Sequence, residues 1–81
     1  MESLRKRENL IYWRKMNGMK QVDVYRKLRI SRGYYSNLER GRVNPSFLLL
    51  VKFREVFEVD DVIELFKLSE EDVQNGDGNT C

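Results

Sequence analysis

Two helix-like segments separated by only a two-residue link and a capping serine constrain this chain more than any other feature. Gln21 to Leu28 places Val24 and Leu28 four residues apart, which puts both on one helical face. Arg32 to Arg40 follows, with Ser31 positioned to cap its free amides and Gly41 positioned to end it. The intervening Arg29-Ile30 is too short a link for the two helices to run antiparallel, so they must cross at a steep angle. Such a pair buries little apolar surface alone and depends on helices from the flanking sequence.

The flanks supply them. Glu2 to Asn17 lacks Pro and Gly and is rich in strong helix formers, so it reads as a first helix with Leu10, Trp13 and Met16 on its packing face and Asn17-Gly18 as its stop. Lys20 offers no side-chain oxygen to cap the second helix, although Asp23 in the first turn suits the helix dipole. Asn44-Pro45-Ser46 reads as a turn whose Pro opens a fourth helix running to about Glu58. That segment is apolar almost all round, with Lys52 and Glu55 as its polar edge, and is expected to be the central buried helix. Arg54 falls in its apolar arc and must snorkel, pair with an acid or sit at an interface. Asp60 or Asp61 can cap a short fifth helix containing Val62, Ile63, Leu65 and Phe66. The expectation is an all-α domain of five helices over residues 1–68 and an acidic, mostly disordered tail over 69–81, with one more turn possible after Ser69.

Composition narrows the chemistry. With 81 residues the chain makes one small domain, and with no His and a single cysteine, Cys81, it lacks an ordinary general base and a zinc ligand set. The acidic tail has neither the spacing nor the terminal Glu of a calcium loop. No catalysis, no metal and no cofactor is expected. No apolar stretch follows the charged start MESLRKREN, which points to a cytoplasmic protein without membrane insertion. The charge is divided: residues 1–57 hold 14 of the 15 Lys and Arg against five acids, a net of +9, whereas residues 58–81 carry −7. A basic body of this kind suits a polyanion.

On the third helix, at 100° per residue, Tyr34, Tyr35 and Leu38 share one arc, while Arg32, Gly33, Ser36, Asn37 and Arg40 spread over the other. Glu39 lies beside Tyr35 at the edge of the packed arc, where a charge needs a partner. The free arc carries a guanidinium, a hydroxyl and an amide, groups that suit base edges, beside a glycine that permits close approach.

In this order the segments form a helix-turn-helix. The stretch WRKMNGMKQVDVYRKLRISRGYYSNLERGRVNPS resembles the Cro/repressor-type, or Xre-like, helix-turn-helix family of DNA-binding regulators, and the likeness runs from about Leu10 to Phe66. The resemblance implies a lambda-repressor-like fold and sequence-specific binding of double-stranded DNA, most simply by a repressor that occupies an inverted repeat as a homodimer. It implies base contacts from Arg32, Gly33, Ser36 and Asn37, with Arg32 suited to guanine and Asn37 to adenine. It implies backbone contacts from Gln21, Arg40, Arg42 and Asn44. It also implies a buried ion pair between Arg14 and Glu39 that fixes the reading helix.

Three departures stand out. Tyr25 replaces the family's small residue, Arg29 replaces the turn glycine and must adopt a left-handed backbone, and Gly33 removes a side chain often used for reading. The stripe Leu49, Phe53 and Val56, with Ile63, Leu65 and Phe66, exceeds what a small monomer is expected to cover and marks the expected dimer interface. Arg5, Lys6 and Arg7 read either as an extra phosphate arm or as a solvated first turn. The alternative function is a protein-interaction module on the same fold, antitoxin-like, with a partner on the fifth helix or the acidic tail and only weak, non-specific DNA binding.

Overall fold

Capping residues set the boundaries of the helices. In the computed structural model, which describes residues 6–68, helix α1 spans Glu8–Met16, α2 Gln21–Leu28, α3 Arg32–Arg40, α4 Phe47–Phe57 and α5 Val62–Leu65. The Ser31 hydroxyl accepts from the Tyr34 amide at 3.1 Å, Ser46 from Leu49 at 3.1 Å, and Asp61 from Glu64 at 3.3 Å. At α2 the cap is reversed: Lys20 supplies no acceptor, and the Asp23 carboxylate instead accepts the Lys20 amide at 2.7 Å. Left-handed residues close three of the helices: Arg29 (φ 60°) after α2, Gly41 (φ 79°) after α3 and Glu58 (φ 55°) after α4. Arg29 therefore holds the strained backbone expected of the residue that replaces a turn glycine.

The five helices bury one core. Leu10, Val24, Leu28, Tyr35, Leu38 and Phe53 are fully enclosed, with Leu49, Val62 and Phe66 close behind. Phe53 is its hub. Its ring centroid lies 5.1 Å from that of Trp13, 4.9 Å from Phe57 and 5.2 Å from Phe66, joining α1, α4 and the end of α5 through tilted and edge-on contacts. Tyr25 packs toward α3, its ring 6.5 Å from that of Tyr35.

Several expectations need correction. The first helix begins at Glu8, because Arg7 turns inward as its N-cap; residues 2–5 of the expected span lie outside the described residues, as do the tail and the turn after Ser69. Met16 is exposed, since the last turn of α1 carries it past the edge of the core. Pro45 precedes α4 instead of opening it, because Ser46 takes the cap. Helix α4 is not surrounded: it packs on α2, on α5 and, through Trp13, on α1, leaving Phe47 and Leu48 exposed, and Arg54 reaches solvent without a core position to escape.

The expected dimer stripe divides. Leu49, Phe53 and Phe66 belong to the monomer core and are not available to a partner, because α1, α2 and α5 already cover them. Leu65 is half-buried beside that core, and only Val56 and Ile63 are exposed.

Candidate nucleic-acid interface

Helix α3 is fixed from behind by one carboxylate. Glu39 lies on its inner face, and the Arg14 guanidinium of α1 donates to it twice, Nε to Oε2 at 2.7 Å and Nη2 to Oε1 at 3.2 Å. The Tyr35 hydroxyl donates to Oε2 at 2.6 Å and the Gln21 side-chain amide to Oε1 at 2.8 Å. Four donors thus converge on one carboxylate, and they come from α1, α2 and α3. Arg14 also donates to the Met19 carbonyl at 3.1 Å, which ties the α1–α2 turn into the same node. Burial alone would raise the Glu39 carboxyl, but the hydrogen bonds from Arg14, Tyr35 and Gln21 outweigh it and hold the group below the usual glutamate range. Burial, reinforced by the bond to Glu39, pushes the Tyr35 phenol well above its ordinary range, so it remains a donor.

With its inner face locked, α3 turns the opposite arc outward. Arg32 and Gly33, in its first turn, are exposed, Ser36 and Asn37 are half-buried beside them, and Arg40 is exposed at its end. A Cβ added at Gly33 meets nothing within 4 Å, so no packing among the described residues requires glycine there. Gln21, at the start of α2, is half-buried, with one N–H engaged by Glu39 and a second remaining for another acceptor. Arg42 and Asn44 are exposed in the loop after α3, where the Arg42 amide closes the helix on the Asn37 carbonyl at 3.0 Å. Lys20, Arg26, Lys27 and Arg29 add exposed cations on and around α2. The groups expected to meet bases and those expected to meet phosphates thus lie on α3 and the elements that adjoin it.

Two residues in this frame carry more than their sequence positions revealed. Tyr35 sits one helical turn before Glu39, a spacing that signals the contact once Glu39 is known to be buried. Arg7 is enclosed, at 2% exposure, and cannot serve as a surface phosphate arm; nothing in its charged surroundings in the sequence distinguishes it from Arg5 or Lys6. Lys6 is exposed, and Arg5 lies outside the described residues.

Among the described residues no cluster of three or more His, Cys, Asp or Glu is arranged to hold a metal ion, and no helix is long and apolar enough to cross a membrane. Neither a comparison with curated proteins nor one with solved structures returned a significant match. A helix-turn-helix family model matches residues 10–63, from the buried Leu10 of α1 to Ile63 of α5, spanning the pair α2 and α3 and the helices that brace it. The chain belongs to the Xre/Cro-like helix-turn-helix family, and its five helices form a DNA-binding domain of the transcription-regulator type.

Proposed function

We propose that the protein is a small transcriptional repressor that reads an inverted repeat in double-stranded DNA as a homodimer. The observation that carries this reading is the outward arc of α3, Arg32, Gly33, Ser36 and Asn37, set on a helix whose inner face is pinned by the Glu39 node. A helix held this rigidly presents its first turns to the major groove at a defined tilt, with Arg32 able to meet guanine two-pronged and Asn37 adenine. Gln21, Arg40, Arg42 and Asn44 supply phosphate contacts that set register without reading sequence. No chemical step is involved: occupancy of the site is the regulatory act.

The dimer contact rests on apolar residues that the fold leaves exposed. Phe47 and Leu48 at the start of α4 are about three-quarters exposed, and Val51 follows one turn later on the same side. Lys52 and Glu55 border Leu48 on its two sides with opposite charges, so a two-fold partner can set each Lys52 against the other copy's Glu55. A dimer that reads an inverted repeat needs its two α3 helices about one DNA turn, ~34 Å, apart.

A protein-interaction module is the second reading. It is favoured by an open groove of about 480 Å³ between α1 and α5, lined mainly by Tyr12, Trp13, Met16 and Leu65.

Selection from a random duplex pool at about 150 mM salt separates the two, because binding through phosphates alone weakens by orders of magnitude as salt rises. An enriched inverted repeat with half-site centres about 10 base pairs apart is the expected result. Failure to enrich any sequence overturns the repressor reading and favours the interaction module.

A further inference from the structure

Arg7 is a buried cation with no acid paired to it among the described residues. Its guanidinium is held entirely by oxygens of neutral groups. Nε donates to the Phe66 carbonyl at 2.8 Å, Nη1 to the carbonyls of Leu38 at 2.7 Å and Val43 at 3.0 Å, and Nη2 to the side-chain oxygen of Asn44 at 3.1 Å. Its backbone amide donates to the Glu39 carbonyl at 2.9 Å. Leu38 and Phe66 stand in the last turn of α3 and at the C-cap of α5, where the partial negative charge of helix ends offsets a cation. The remaining two acceptors, Val43 and Asn44, belong to the loop that follows α3.

The bond to Asn44 has a directional consequence. A guanidinium has donors only, so it can engage the carboxamide only through Oδ1, which fixes the flip of that side chain. Asn44 is exposed, and with Oδ1 turned toward Arg7 its Nδ2 donors are the end left for an outside ligand. A phosphate oxygen is an acceptor only. The opposite flip would present an oxygen to it and repel it.

We propose that Arg7 is a positioning residue for DNA binding: from inside the core it locks the Asn44 carboxamide with its donors outward, ready for a backbone phosphate. This rests on the DNA-binding reading of the same loop. Because a phosphate contact carries no sequence information, the probe is a mixed-sequence 30-base-pair duplex at low salt, and the test does not depend on sequence reading.

Asn44→Ala and Arg7→Lys should each weaken binding about tenfold, the scale of one hydrogen bond to a charged group. Neither alters net charge, so the slope of log affinity against log salt should stay at its wild-type value. The double variant should bind no more weakly than either single one, because both remove the same contact. Asn44→Asp should separate stability from binding: the buried cation gains an acid and Tm rises, while binding falls below that of Asn44→Ala. Wild-type affinity in Asn44→Ala, or multiplied losses in the double variant, overturns the proposal while leaving the DNA-binding reading standing. A wild-type protein that binds no duplex overturns both. If Arg7→Lys does not fold, the Asn44 side-chain amide resonances of the wild type decide. The proposal requires them to be dispersed away from free asparagine before DNA is added and to shift on its addition, and resonances that stay at the free-asparagine position overturn it.

Discussion

Removing the charge of Glu39 should cost more than any surface change on this domain, and the cost should depend on Arg14. The side chains of Arg14 and Glu39 are 11% and 4% exposed, so neither charge is well screened by water. In Glu39→Gln the guanidinium keeps a neutral neighbour but loses its counter-charge; in Arg14→Met the carboxylate keeps Gln21 and Tyr35 as donors but stands without a cation. Breaking one side of a buried pair costs ~3–5 kcal/mol, and we take about 3 for each variant because other donors remain. A domain with 63 described residues has about 3–9 kcal/mol of stability at ~0.05–0.15 kcal/mol per residue. Each single variant should therefore lower Tm by about 12–24 °C, and additive losses of about 6 kcal/mol would leave the double variant barely folded. The reasoning predicts otherwise. With both charges gone the double variant should lose about as much as one single variant, giving a coupling of about 3 kcal/mol in a urea-denaturation cycle followed by helical circular dichroism. A coupling below about 0.5 kcal/mol would refute the claim that this pair holds α3 in place.

Three further outcomes follow from the same geometry. Because the folded Glu39 carboxyl lies below its ordinary value of 4.5, the stability it contributes is present above that pH and is lost as pH falls through the folded value; acid titration of Tm should show this loss in the wild type and a shallower one in Glu39→Gln. Gly33→Ala should stabilise the free protein by about 0.5–1 kcal/mol, since the added methyl meets open space in a helix, yet weaken DNA binding, because the groove floor must come within reach of that position; unchanged affinity in a gel-shift titration would place Gly33 away from the bases. Leu48→Glu should change the unfolding free energy of the monomer by no more than about 0.5 kcal/mol and convert a dimer to a monomer in sedimentation; a wild type that is already monomeric at micromolar concentration would remove the proposed contact.

The helix-turn-helix was legible because its signals are local. A two-residue link, Ser31 as cap and Gly41 as stop fix α2 and α3 before any tertiary contact is considered, and the arc of α3 that packs follows from its 3.6-residue period. The strained Arg29 was legible only through the family resemblance, which places a glycine at that turn position. The fourth helix was harder. Its apolar residues run nearly all round, and periodicity does not reveal that only Leu49 and Phe53 are enclosed while Phe47 and Leu48 stay outside; that depends on which helices five short elements can bring against it. Arg7 lay beyond local reasoning altogether, because its partners at Leu38, Val43, Asn44 and Phe66 are 31 to 59 residues away and three of them are backbone carbonyls, which leave no trace in side-chain pattern.

The central claim is that the outward arc of α3 reads bases, and a panel of duplexes that differ by single base pairs tests it most directly. Equilibrium binding of the wild type and of Arg32→Ala to the best selected site and its single-base variants should show the wild type losing ~1–3 kcal/mol at each contacted pair. Arg32→Ala should lose about as much on the best site and become indifferent to one guanine while keeping its other preferences. A wild type that binds every duplex in the panel equally at fixed salt, or an Arg32→Ala variant that keeps the full wild-type preference at every position, would contradict it.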